Sequence, residues 1–343
     1  MNNALDQKCD LLIRNCSEIH RKYFLNDKLL ALMASLIFTS EDKEADTQRL
    51  KECKKILEKN TGLLSNLRAN PELVILSKMA LSDDPEKYIK NVSEVYKKIH
   101  KGTKLENSYM ALSAVLICDL GRQDEADDLI AKADQIRTLM DKAHPVLTSA
   151  DDTSFIMFLA LTDKSADTIV KDIEEAYDYL KNTCKVKASS DAVQGISEVL
   201  AISYGDTKDK CDKVVRLFNT FTDRKAKFGN GSDFIVLGSL INVNTDTDTL
   251  VNEVLEAEVR LKDLKGFKAD EMDRQKRMMY ASMLVAETYG MRSAVISNSI
   301  ISNALTTVIS KQIASAISIA VNIASSAIPA AGKKDEEDEN KPS

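Results

Sequence analysis

The chain has 343 residues, of which 44% are hydrophobic and 29% charged, and its formal net charge is −6. Those values are ordinary for a globular protein, and without a basic stripe or a Lys/Arg block they argue against nucleic-acid binding. With 11 Gly, 5 Pro, no Trp and 5% aromatic residues, the composition disfavours a turn-rich β protein and asks for a core of Leu, Ile, Val, Ala and Met.

Taken in chain order, Leu5, Cys9, Leu12, Cys16, Ile19 and Tyr23 step by three and four, the stripe of an amphipathic helix. A two-helix unit then recurs about every 41 residues, with polar turns at Ser40–Asp46, Ser82–Glu86, Leu120–Glu125, Thr162–Asp167, Gly205–Asp209 and Asn244–Asp248. The first helix of each unit is short and almost wholly apolar: Leu29–Phe38, Leu73–Leu81, Met110–Cys118, Phe155–Leu161, Ile196–Ile202 and Phe234–Ile241. A helix apolar on every side belongs inside. The second is longer and carries one stripe, spaced 3, 4, 3: Ile89, Val92, Tyr96, Ile99; Val170, Ile173, Tyr177, Leu180; Cys211, Val214, Phe218, Phe221. Val251, Val254, Glu258 and Leu261 repeat that spacing with one polar exception. Arg274–Glu287 reads as a further helix.

The turns carry capping chemistry. Asp83 and Asp84 precede Pro85 at a first helical position; Ser149, Asp151 and Asp152 follow the His144-Pro145 break, and Ser232 follows Gly231. Gly62, Gly102, Gly229 and Gly266 stand near the ends of the second helices, where a left-handed cap favours glycine.

From Ser293 to Gly332 only Lys311 is charged, and Ile301, Leu305, Ile309, Ile313, Ile317 and Val321 lie four apart, as one ridge of a packing helix. These six are the expected interaction residues. Gln312–Gly332 is uncharged and long enough to span a bilayer. Ser315, Ser318, Asn322, Ser325 and Ser326 weaken that reading, and an interfacial helix would carry a basic face. Packing on the array or between subunits is therefore preferred to membrane association or a mobile tail. Lys333–Ser343 reads as a charged disordered tail.

No catalytic or cofactor motif emerges. Asn242, Asn244, Asp246, Asp248 and Glu253 match the oxygen spacing of a calcium loop. Thr247 replaces its turn glycine, so a capping turn is the preferred reading of Asp246, Asp248 and Glu253, and no metal is expected. His20, His100 and His144 are not spaced as a zinc pair. Asp83-Asp84 and Asp151-Asp152 lack the downstream Asp of a magnesium motif, and Gly229-Asn-Gly231 lacks the lysine of a phosphate loop. The six cysteines are scattered, without Cys-x-x-Cys, and read as small buried hydrophobes in a reducing compartment. Met1–Arg14 has no apolar stretch of a secretory signal.

Several segments together resemble a family of all-helical Firmicutes proteins, the domain-of-unknown-function family 4003. They are Lys28-Leu-Leu-Ala-Leu-Met-Ala-Ser35, Arg49-Leu-Lys-Glu-Cys-Lys-Lys-Ile56 with Asn60-Thr-Gly62, Leu81-Ser-Asp-Asp-Pro-Glu86, His144-Pro-Val-Leu-Thr-Ser149 and Met279-Tyr-Ala-Ser-Met-Leu-Val-Ala286. The resemblance implies a soluble-looking bacterial helical protein and brings no catalytic residue with it.

The expected fold is all-α, helical hairpins stacked as an α-solenoid or a closed helical array. The expected divisions are a capping helix (1–24), the repeat domain (25–290), the apolar C-terminal segment (291–332) and the tail (333–343). The expected function is a non-enzymatic cytoplasmic scaffold that binds a protein or peptide, with a homo-oligomer through the C-terminal segment as a further possibility and no cofactor. Two alternatives stand beside it: a membrane-associated factor docking through that segment, and a small-molecule binder or enzyme with a pocket in the array.

Overall fold

The computed structural model describes residues 3–23, 28–62, 65–69, 71–101, 108–143, 153–203, 205–262, 267–268 and 272–290. The ridge Ile301, Leu305, Ile309, Ile313, Ile317 and Val321 lies outside them, as do His144, Ser149, Asp151, Asp152, Gly102 and Gly266. The described residues are all-helical. In order the helices are α1 (Asn3–Lys22), α2 (Lys28–Ser40), α3 (Thr47–Asn60), α4 (Glu72–Leu81), α5 (Pro85–His100), α6 (Ser108–Asp119), α7 (Ala126–Ala143), α8 (Thr153–Ala160) and α9 (Ala166–Asp178). There follow α10 (Ser190–Ile202), α11 (Thr207–Asp223), α12 (Ser232–Ile235), α13 (Leu237–Leu240), α14 (Thr247–Lys262) and α15 (Arg274–Gly290).

The helices are of two kinds. The apolar helices α2, α4, α6, α8, α10 and α12–α13 are buried over most of their surface, because their sequences leave no polar face for water. The amphipathic helices bury one stripe: Leu5, Cys9, Leu12, Cys16 and Ile19 on α1, Ile89, Val92, Tyr96 and Ile99 on α5, and Val251, Val254 and Leu261 on α14. Each large side chain so buried is worth roughly 1.5–3 kcal/mol. Tyr177 and Phe218, expected on the buried stripes, are only half-buried; Ile173, Leu217 and Phe221 carry the burial there.

Successive amphipathic helices touch: α1 with α3, α3 with α5, α5 with α7, α7 with α9, α9 with α11, and α11 with α14. The succession then returns to its start, since α1 also packs on α14 and α15. At several of these junctions a cation late in one helix meets an acid early in the next. Lys59 pairs with Glu86 at 3.5 Å, Lys98 with Asp127 at 2.8 Å and Arg224 with Asp248 at 2.9 Å. At the return junction Arg260 pairs with both Asp6 and Asp10. Each pair sets opposite charges on opposite helix-dipole ends.

The apolar helices end in carbonyls that their own residues cannot satisfy. Lysines from neighbouring helices and from the turn before α9 close them: Lys8 Nζ donates to Thr39 O at 2.8 Å, Lys164 to Ala201 O at 2.7 Å, Lys210 to Leu200 O at 2.7 Å and Lys213 to Ile241 O at 2.7 Å. The amphipathic helices begin on side-chain caps. Asp46, Asp84, Ser165 and Asp206 accept backbone N–H groups of the first turn, and Pro85 takes the first helical position on α5.

Local details depart from the sequence expectation. Phe234–Ile241 is broken at Val236 into α12 and α13. The break lets both pieces lie close to α10. A Cβ on Gly195 would stand 2.5 Å from Ile235 Cδ1, and one on Gly238 would stand 2.5 Å from Val199 Cγ1. Ser232 lies in the first turn of α12 after Gly231, which makes no side-chain cap. The left-handed backbone falls at Gly121 and Gly205, in the turns after apolar helices, and at Asp42, Lys185 and Lys225, not at Gly62 or Gly229.

Candidate functional site

Two arrangements of polar residues stand out among the described residues. The first is buried and satisfied. Glu258, the exception in the α14 stripe, accepts from Arg277 Nε at 2.9 Å and from Arg274 Nε at 3.4 Å. Both Glu258 and Arg277 are almost fully buried, and Arg277 also donates to the carbonyls of Phe267 and Met272. A pair so enclosed holds α15 to α14 and offers nothing to a ligand.

Asp246, Asp248 and Glu253 form no site either: the first two are exposed at the start of α14, and Glu253 is buried with one carboxylate oxygen lacking a partner among the described residues. Asp246 caps α14 by accepting from Thr249 N at 2.8 Å, and those backbone donors hold its carboxyl below the usual range. Asp248 faces Arg224. Glu253 is turned into the core, and Asn242 donates to Ser203 Oγ at 3.2 Å. The residues therefore point apart, because the segment is the inter-helix turn and first turns of α14. Among the described residues no three His, Cys, Asp or Glu side chains gather as a metal site.

The second arrangement lines an open cleft of about 410 Å³ where the C-terminal ends of α3 and α5 lie side by side. One wall is the end of α3 with its exit, Asn60, Thr61, Gly62, Ser65 and Leu67; the other is one face of α5, Ser93, Tyr96, Lys97 and His100. Residues 93, 96, 97 and 100 share that face because they differ by three, four and seven. Tyr96 and Leu67 are buried and form the floor. The Tyr96 and His100 rings are parallel within 5° with centroids 6.2 Å apart, and Asn66 Nδ2 approaches the Tyr96 hydroxyl at 3.5 Å.

The electrostatics of the cleft follow from its lining. Two helix C-termini would present carbonyl oxygens there. Asn60 Nδ2 closes Ile56 O at 2.9 Å and Thr61 Oγ1 closes Leu57 O at 2.6 Å, while Lys101 N returns to Lys98 O at 3.1 Å. Among the described residues no acidic side chain lines the cleft. Of the nearby carboxylates, Glu58 pairs with Arg68 at 3.4 Å and Glu86 with Lys59 and Lys90, each at 3.5 Å, while Glu94 stands exposed on α5 and does not line the cleft. Ser65 Oγ accepts from Leu67 N at 3.3 Å, leaving its proton to give. Ser93 Oγ is shielded from water and has no hydrogen-bond partner among the described residues. Lys97 forms no ion pair among the described residues.

Sequence reasoning placed the interaction residues elsewhere, on the ridge Ile301–Val321, and missed this cleft. Its signal was present in part: Asn60-Thr-Gly62 stood out as a segment, and Ser93, Lys97 and His100 are polar residues beside the Tyr96 stripe. What brings the two together is the pairing of α3 with α5.

Residues 15–314 match the family described as "Protein of unknown function (DUF4003)", and the chain belongs to that family. No curated protein and no solved structure matches the chain significantly. Among the described residues no helix is long and apolar enough to cross a membrane.

Proposed function

We propose that this family member is a non-enzymatic helical-repeat scaffold of the cytoplasm, that its hairpins form the closed form of the array, and that it binds a protein or peptide partner at the α3–α5 cleft. Closure is supported by the contacts of α1 with α14 and α15 and by the Arg260 pairs with Asp6 and Asp10. It bears on function, because the apolar helices are then enclosed and a partner must be met from outside. The observation that carries the binding reading is the cleft itself: an open concavity on rigid helix ends, with a polar lining and a donor left unpartnered among the described residues. The same observation favours a second reading, a small-molecule binder, since a volume of about 410 Å³ is of ligand size.

The test is a blocked cleft. A Cβ on Gly62 would meet nothing within 4 Å, so Gly62→Trp fills the opening without disturbing the core. Partner recovered on the immobilised full chain is expected to fall at least tenfold with Gly62→Trp and to be unchanged with Lys171→Trp on the exposed side of α9. Equal recovery with both variants would remove the cleft from the account.

A further inference from the structure

We infer that the α3–α5 cleft is a seat for an oxyanion, a carboxylate or a phosphate group. The inference rests on the reading of that cleft as the binding site and names the chemistry it recognises.

Three observations carry it. The first is charge. Among the described residues Lys97 stands on the cleft wall without a counter-ion, and no acid lines the site. A cationic donor on the wall of a concavity attracts an anion more strongly than the same lysine on a convex surface. The second is the donor inventory. Asn60 and Thr61 each donate to an α3 carbonyl, Ile56 O and Leu57 O, which lessens the negative character of that helix end. Ser65 and Ser93 keep their protons. The wall therefore offers protons and asks for lone pairs, and a carboxylate or phosphate, with several acceptor positions, is the group that answers. The third is Ser93 itself. A hydroxyl shielded from water without a partner is costly, and it persists most simply where a ligand satisfies it. Ser93 lines the cleft, and a change between staggered side-chain wells is the movement by which its Oγ would meet a ligand there. The parallel Tyr96–His100 pair holds the floor in a fixed shape beneath it.

One chemistry admits two sources, a free small anion or an acidic residue of a bound peptide. The experiment uses the full chain with inorganic phosphate, acetate and an acetylated glutamate tripeptide as probes, each titrated against chloride at matched ionic strength. Calorimetry and thermal shift are the readouts. At least one probe is expected to bind saturably in the millimolar range or tighter. Lys97→Met, an exposed position, should weaken it at least tenfold, Ser93→Ala several-fold, and Lys51→Met, an exposed lysine on α3, not at all. Tripeptide binding tenfold tighter than acetate assigns the oxyanion to a peptide; phosphate or acetate binding as tightly assigns it to a small anion. Absence of saturable binding by all three probes, or binding that Lys97→Met leaves unchanged, overturns the inference. If the probes fail while Gly62→Trp still abolishes partner recovery, the cleft stands as a binding site and only its oxyanion chemistry falls.

Discussion

The α14–α15 pair and the α3–α5 pair are made from the same kind of amphipathic helix, yet they use their polar residues in opposite ways. In the first, Glu258 breaks an apolar stripe and is answered inside the protein by Arg277 and Arg274. In the second, Ser93 and Lys97 lie beside an intact stripe and are answered by nothing described, next to an opening. Burial of a polar group therefore does not by itself mark function here. A satisfied group reports on structure, and an unsatisfied one in the wall of a concavity is the group that the proposed ligand would satisfy.

The comparison can be broken by substitution, and the largest effect belongs to the core both pairs share. Ile173 is fully buried, so Ile173→Asp should cost more than about 4 kcal/mol or prevent folding, seen as loss of the cooperative urea transition. At the satisfied pair, Glu258→Ala leaves Arg277 buried and uncompensated, and about 3–5 kcal/mol should be lost. The double variant Glu258→Met with Arg277→Met should recover most of it, because no charge is then left stranded. Recovery of less than half would show that the pair acts through more than charge balance.

Alkaline pH sharpens the comparison without mutation. Burial pushes the thiols of Cys9, Cys16, Cys118 and Cys211 up to about 12, and that of Cys53 to about 11. The unfolded chain loses these protons near pH 9 while the native state keeps them, so stability is complete below pH 8 and falls from about pH 9 toward 11–12. Lys132, Lys210 and Lys213, whose burial lowers their values, oppose this closer to pH 10. The melting temperature should drop between pH 8 and pH 10.5, and a flat profile would contradict the enclosed thiols.

Intermediate effects belong to partly buried pairs. Asp172 looks outward in the sequence, but it meets Lys164 at 2.7 Å, and Lys164 also closes Ala201 O and Ser203 O. Asp172→Ala should therefore cost about 1 kcal/mol and not be silent, a loss that 1 M salt reduces. Smallest of all is Ser93→Ala, expected within about 0.5 kcal/mol of the parent, because removing an unpartnered hydroxyl deletes a cost and not a bond.

Periodicity made much of this fold legible. The stripe Leu5, Cys9, Leu12, Cys16, Ile19 on α1 and the all-apolar runs of α2, α4, α6 and α8 state their burial in the order of their residues. Glu258 was visible as an exception, but its partner Arg277 lies 19 residues away and on another helix. Nothing local could join them. The return of α1 to α14 depends on residues 250 and more apart, Arg260 with Asp6 and Asp10, and on how much each hairpin turns relative to the last, a quantity that periodicity does not carry. The break at Val236 reflects the close approach of Gly195 and Gly238, a property of two surfaces together. The cleft was hidden for a related reason. Ser93 and Lys97 read as solvent-facing positions of α5, and only the end of α3 laid beside them makes a cavity.

The most direct measurement is urea unfolding of the full chain and of Ser93→Ala, each with and without saturating oxyanion probe. The account predicts equal stability without the probe. It further predicts an increment with the probe in the parent chain, as a native-state ligand must give, and most of that increment missing in Ser93→Ala. A Ser93→Ala protein weaker by more than about 1 kcal/mol without probe would make the serine structural, and an undiminished increment would place the ligand elsewhere; either result contradicts the division between satisfied and waiting polar groups.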